Sequence, residues 1–376
     1  MNKLILLALL SAFSLNIFGQ NQSQPSKQAL DLMSRGDFSG AIAVLDRDIS
    51  KNRNSFESYK LRGTIRRMTG DFAGAFADYD KAIELKADDA NSYEQRASLR
   101  MILQQDFNLI LKDLDSAIAF GKKHEKVYSQ RAMIRHQAGD ETGAIEDYKA
   151  AIGLRPDYAS AYNGLSSVYA IRNEDEKAIS ILEDFIAAFE NSGKKLTNLR
   201  GEVTASSSVN LPVMTDKNIQ IGESTMIFKG ESFSTSTMPT PEQIEKMTDK
   251  MEQSKNTALA YINLAQHYAK QKTYEKALAT VEKGLKLDPT DFYGYETRGK
   301  IKIGIGDYEG AVTDLDKSIK IMPNFAAKYL ERGIAYLMLG KNAEAQSDFD
   351  KYLQMYPKGK ENLEKRIAEA KQKLVQ

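Results

Sequence analysis

VYSQRAMIRHQAGDETGAIEDYKAAIGLRP, residues 127–156, reads as two short amphipathic helices joined by a Gly139-Asp140 turn and closed by Pro156. Glycine at the turn suits a left-handed helix end, aspartate caps the helix that follows, and proline stops the second helix. The same unit recurs on both sides of this stretch. The rest of the chain is arranged relative to those copies.

Anchored on the turn and on Pro156, the unit spans residues 125–158, a length of 34 residues. Frames 56–89, 159–192, 258–291, 292–325 and 326–359 follow without adjustment, and frame 90–124 follows with one inserted residue. Position 4 is tyrosine in all seven frames: Tyr59, Tyr93, Tyr128, Tyr162, Tyr261, Tyr295 and Tyr329. Position 8 is always small (Gly63, Ala97, Ala132, Ser166, Ala265, Gly299, Gly333), and position 20 holds Ala75, Ala144, Ala178, Ala277, Ala311 and Ala345. Short side chains there let the two helices of a unit approach closely. Turns recur as Gly70-Asp71-Phe72, Gly306-Asp307-Tyr308 and Gly340-Lys341, and closing prolines as Pro289, Pro323 and Pro357.

By this period and these positions the chain resembles the tetratricopeptide repeat (TPR) family, of the exported bacterial type. The resemblance implies an all-α solenoid of helix-turn-helix units in two stacks. The N-terminal stack covers 22–192 with about five repeats, its first copy at 22–55 carrying Ala29, Gly36-Asp37-Phe38, Ala41 and Leu45 but no position 4 tyrosine. The C-terminal stack covers 240–376: a leading helix, three repeats and a capping helix on which Leu363, Ile367 and Ala370 continue the pattern. Between them, 193–239 is a Ser/Thr-rich insert, irregular or a β-hairpin. Alternation at Val209, Leu211, Val213, at Ile219 and Ile221, and then Met226 to Phe228 permits strands, with Pro212 confining its strand to an edge. Thr240, Pro241 and Gln243 start the leading helix, whose Ile244, Met247 and Met251 share a face expected to dock beside Leu264 and Tyr268 or on the preceding array.

MNKLILLALLSAFSLNIFG, residues 1–19, has Lys3, a short apolar run broken by Ser11, Ser14 and Asn16, and a small residue before a polar segment. That is the pattern of a cleaved signal peptide rather than a membrane span. The mature chain is therefore expected to be exported, periplasmic or extracellular, without membrane insertion. The formal net charge of +1 lacks the basic footprint of a nucleic-acid binder, and the absence of cysteine excludes disulfides and a lipidated cysteine.

Arginine at position 7 and aspartate at position 23 occur together in five frames: Arg62 with Asp78, Arg96 with Asp113, Arg131 with Asp147, Arg298 with Asp314, and Arg332 with Asp348. They are lost together as Leu165 with Ile181, Leu264 with Thr280, and Gln28 with Val44. Matched loss implies a structural ion pair between the helices of each repeat. An arginine row for acidic ligands would not require the aspartates. No catalytic set, metal site or cofactor motif is found. His124, His136 and His267 have no metal-ligand spacing, Gly304-Ile305-Gly306 with Gly310 falls on an interhelix turn, and the serines of the insert lack a base.

In the resembled family the first helix of each repeat lines a concave groove with positions 2, 5, 9 and 12. The early half then offers Glu57, Lys60, Thr64, Arg67, Asn91, Glu94, Ser98, Met101, Lys126, Ser129, Met133 and His136, a mixed polar surface. The late half is more apolar. Leu259, Ile262, Tyr293, Ile303, Leu330, Ile334 and Leu337 are its candidate partner-binding residues, and the stripe of Leu330, Ile334 and Leu337 needs a cover, either a partner or the capping helix or insert of this same chain. The carboxylate clamp of chaperone-binding relatives is matched by Lys60 alone, with Thr64 where asparagine is wanted. The expected function is a non-enzymatic scaffold gripping an extended peptide or helix of an envelope or secreted protein. The alternative is an assembly or regulatory subunit whose 200–238 segment is the binding element.

Overall fold

The computed structural model describes residues 24–204, 225–228, 231–234 and 241–375, with 192–204, 225–228, 231–234, 241–248, 251 and 375 described through their backbone. The expected signal peptide and residues 205–224 lie outside the described residues. Seventeen helices appear among them: α1 (Gln24–Ser34), α2 (Phe38–Lys51), α3 (Phe56–Thr69), α4 (Phe72–Leu85), α5 (Ala90–Ile102), α6 (Phe107–Ala119), α7 (Glu125–Gln137), α8 (Glu141–Leu154), α9 (Ala159–Ile171), α10 (Asp175–Thr204), α11 (Pro241–Lys270), α12 (Tyr274–Leu287), α13 (Phe292–Ile305), α14 (Tyr308–Ile321), α15 (Ala326–Met338), α16 (Asn342–Met355) and α17 (Lys360–Val375). The chain is thus an all-helical solenoid of antiparallel pairs. In the insert, strand β1 (Thr225–Phe228) pairs antiparallel with β2 (Glu231–Ser234), Thr225 opposite Ser234.

Turn chemistry sets the pairs. Gly70, Gly139 and Gly306 have φ of 88°, 87° and 84°, a left-handed conformation that only glycine adopts without strain. The next residue caps the following helix: the carboxylates of Asp71, Asp140 and Asp307 each accept the backbone N–H of Gly74, Gly143 or Gly310 at 2.9 Å. A Cβ at Gly310 would sit 2.1 Å from the Asp307 carboxylate and one at Gly304 would sit 2.6 Å from the Tyr274 ring, so Gly306 and Gly310 serve the turn and its cap while Gly304, inside α13, serves packing.

Close packing follows from position 8. A Cβ on Gly333 would lie 2.5 Å from the Phe349 ring, and the position 20 alanines are all buried. Large apolar side chains fill the layer between helices, with Leu61, Ile65, Leu99, Leu114, Leu165 and Leu182 fully enclosed.

The helices form two compact units, one within 1–156 and 188–251, the other within 157–187 and 252–376. This division differs from the sequence boundary at 192: the repeat of α9 and early α10 belongs with the later unit. The leading helix is not a separate element either. It is continuous with the first helix of the next repeat, which carries Leu264 and Tyr268, as α11; the side chains of Ile244, Met247 and Met251, whose docking the sequence suggested, lie outside the described ones. Nothing between Glu252 and Thr257 stops a helix, since that stretch has neither glycine nor proline. Within the first unit, Asp249 on α11 accepts from Arg155 at 2.8 and 3.2 Å and lies 3.7 Å from Lys126.

Candidate partner-binding site

The most ordered polar feature is an ionic row between helix pairs. Arg131 on α7 donates from Nε and Nη2 to the two oxygens of Asp147 on α8 at 2.8 and 2.6 Å. Arg96 with Asp113, Arg298 with Asp314 and Arg332 with Asp348 repeat this bidentate geometry within 3.0 Å, and Arg62 with Asp78 does so within 3.2 Å. The aspartates are buried, so unpaired charge there would be costly. A second cation supports each of four of them: Arg66, Arg100, Arg135 and Lys302 reach Asp78, Asp113, Asp147 and Asp314 at 2.8, 3.1, 2.9 and 2.9 Å.

The row also joins successive repeats, which the pairing of positions 7 and 23 did not reveal. Nη1 of Arg62, Arg96, Arg131 and Arg332 donates to Asp46, Asp80, Asp115 and Asp316 of the preceding repeat at 2.6 to 2.7 Å. The signal was in the sequence, as an aspartate at position 25. Each position 4 tyrosine that precedes an arginine lies beneath its guanidinium, at 5.4 to 5.7 Å.

Where arginine is replaced, other polar contacts take over. Asn263 donates to Asn163 at 3.1 Å, Asn163 donates to the Asn256 carbonyl at 2.8 Å, and the Tyr268 hydroxyl donates to Glu183. His267 lies 3.5 Å from Ser166 Oγ through Nε2 and 3.3 Å from Asp175 through Nδ1. Burial lowers the affinity of His267 for a proton below the ordinary value of 6.5, against the opposing pull of Asp175. Serine, histidine and aspartate stand in hydrolase order, yet Ser166 is buried in the middle of α9 and its backbone N–H belongs to the helix. No substrate carbonyl can reach it, and a helix interior supplies no oxyanion donors. The contact is a repeat-to-repeat link.

The predicted groove residues divide. Ile262 is fully buried, filling the space beside Gly284 and Gly294, and Leu330 and Ile334 lie in a core cluster with Leu363 and Ala370 of α17. These three are therefore corrected from groove surface to core: the capping helix covers the stripe formed by Leu330 and Ile334. Leu259, Tyr293, Ile303 and Leu337 remain half-buried. A cleft of about 480 Å³ opens between α13, α15 and α17, with Ile303, Tyr308, Ile334 and Met338 on its floor and Arg366, Glu369 and Lys373 on its rim. Elsewhere on the late first helices the polar side chains bond one another. Tyr293 donates to Gln266 at 3.0 Å, Gln266 to Thr297 at 2.9 Å, and Arg366 to Glu331 at 2.7 and 3.1 Å.

Comparison with known proteins agrees with this architecture. Models described as TPR repeat or tetratricopeptide repeat match residues 26–90, 133–171, 258–291 and 329–359. A solved tetratricopeptide repeat protein from Parabacteroides merdae is 16% identical, covering 83% of this chain and 97% of its own, at a TM-score of 0.51. The APC/C hetero-tetramer Cut9-Hcn1 gives 15% identity over 87% of this chain and 52% of that one, with a TM-score of 0.52. MamA is 21% identical over 47% of this chain and 99% of its own, with a TM-score of 0.41. No curated protein sequence matches the chain. Four matching models, the 34-residue frame and the stacked helix pairs agree, and the chain belongs to the tetratricopeptide repeat family.

Proposed function

We propose that the chain is a non-enzymatic scaffold that grips an extended peptide or helix of an exported partner on the faces of its first helices. Tetratricopeptide repeat proteins typically act as protein–protein interaction scaffolds. The observation that carries the reading is a division of labour: the buried charges are consumed between helices, while the first-helix positions Leu259, Tyr293, Ile303 and Leu337 keep side chains that are only half-buried. The signal-peptide pattern of residues 1–19 supports export to the periplasm or beyond. No described helix is long and apolar enough to cross a membrane. A near-zero net charge favours protein or peptide over nucleic acid as partner.

A pull-down of the mature chain from its own envelope fraction, read by mass spectrometry, tests this against the alternative of a binding insert. A chain lacking 200–238 is expected to capture the same partner, and Met338→Asp or a first-helix variant of the earlier repeats to capture less. Loss of capture on the deletion, with every first-helix variant intact, would transfer the function to the insert.

A further inference from the structure

We infer that one edge of the later unit, made of residues 320–326 and 354–360, rests on an anionic lipid surface, whatever the first-helix faces grip. These segments, KIMPNFA and QMYPKGK, are the junctions where α14 passes to α15 and α16 to α17. They fill the same place in successive repeats, so Met322 and Tyr356, which cap the ends of α14 and α16, stand on one edge about one helix width apart. Large apolar side chains at a surface normally occur singly. Here Phe325 is 53% exposed, Tyr356 50%, Ile321 42% and Met322 39%. Neither segment contains a carboxylate, and Lys320, Lys358 and Lys360 are exposed. Lys360 has a loose pair with Glu364 at 3.9 Å. Lys320 and Lys358 are in no ion pair among the described residues.

The corner at Met322 and Phe325 is fixed from beneath. Lys328 is fully buried, and its ammonium donates to the carbonyls of Ser318 and Met322 at 3.2 and 2.9 Å. The same group lies over the Phe292 and Phe325 rings at 4.1 and 5.7 Å. The Tyr329 hydroxyl donates to the Pro323 carbonyl at 3.1 Å. The two apolar side chains therefore flank a tied turn and still face outward.

Separate apolar tips between cations suit a bilayer interface better than a protein. A stable protein interface covers on the order of 800 Å² per partner around a packed apolar core, whereas these tips stand on two turns with Asn324 and Gln354 among them. At a bilayer, aromatic and aliphatic side chains enter the boundary between headgroups and acyl chains, and a tyrosine hydroxyl stays at headgroup level. Lysines beside an anionic surface add attraction. A nucleic acid would meet the lysines but leave the aliphatic tips in water. Nearby acids do little against this: Asp316 is held by Arg332, and Glu361, which follows Lys360, stands against three lysines.

The test uses the absence of tryptophan from the chain. Phe325→Trp puts one reporter on the edge, and Ile305→Trp, at the opposite end of the same helix pair, is the control. Each mature chain is mixed with vesicles of phosphatidylcholine, alone or with about a third phosphatidylglycerol. With the anionic vesicles, emission from position 325 is expected to shift to shorter wavelength and to be quenched by lipids brominated in their acyl chains. Neutral vesicles, and the control, are expected to give neither. In co-sedimentation with the anionic vesicles, Met322→Ser with Phe325→Ser is expected to lower partitioning about tenfold, and Lys320→Gln with Lys358→Gln to lower it severalfold, as added salt does. Melting temperatures are expected to stay level, because these side chains are exposed and serine at 325 supplies a capping hydroxyl to α15. If the serine variant melts early, the tryptophan reporter on the otherwise intact edge still decides. An unchanged emission at 325, equal quenching at 305, or partitioning indifferent to both double variants overturns the inference. A shifted emission at 325 without vesicles, with a doubled mass in light scattering, gives the edge to a second copy of the chain and overturns it as well.

Discussion

Arg131 serves three neighbours at once: Asp147 in its own repeat, Asp115 in the one before, and the Tyr128 ring beneath it. The first contact is buried and the second is not, and burial decides their worth. Asp147 is enclosed, so Arg131→Ala leaves a carboxylate that Arg135 alone must hold, and we expect a loss of roughly 3 kcal/mol in urea unfolding. Asp115 is 54% exposed, and Asp115→Asn should cost under about 1 kcal/mol. A double-mutant cycle of Arg131→Ala with Asp147→Ala should show strong coupling; additive losses would mean that the two side chains act separately. Sequence alone made the Arg–Asp pair legible, because both residues disappear together at Leu165 with Ile181 and at Leu264 with Thr280. It left the Asp115 type of contact unread, since the register of one repeat on the next comes from packing.

A helix pair is held by its turn and by the smallness of its inner positions. Gly333→Ala would push a Cβ to 2.5 Å from the Phe349 ring, and since that ring is itself buried it cannot swing aside. Overpacking of this kind costs roughly 1–3 kcal/mol, and a melt of the variant should show it. No loss at Gly333→Ala would mean that α15 and α16 slide apart without penalty. Helix ends were equally readable, as glycine, aspartate and proline carry local chemistry. The limits of α10 and α11 were not, because Gly193 weakens a helix by only about 1 kcal/mol relative to alanine and fails to end it.

Over the whole molecule, the response to acid separates the permanent links from the titrating one. Burial raises the carboxyl of Asp314, but hydrogen bonds from Arg298 and Lys302 outweigh it and hold the group below its ordinary 3.8. A depressed carboxylate stabilises the fold above its unfolded value and loses that contribution as pH falls through the folded one, so the Asp314 link is lost only as pH falls below 3.8. His267 acts earlier. Its folded-state affinity for a proton is lowered by burial, so the unfolded chain binds the proton more readily and stability declines once pH drops through 6.5. We expect a shallow fall in melting temperature between pH 7 and pH 5 that His267→Gln abolishes. A slope that persists in that variant would assign it elsewhere. Sequence by itself determined the repeat, its helices, its turns and its ion pairs, because each depends on residues within one 34-residue frame or on the next copy of it. Tertiary structure decided which surface is free. Leu330 and Ile334 read in the sequence as a stripe needing a cover, and only the packed structure shows that α17 supplies it. Exposure belongs to the packed stack, and no single frame contains the neighbours that set it.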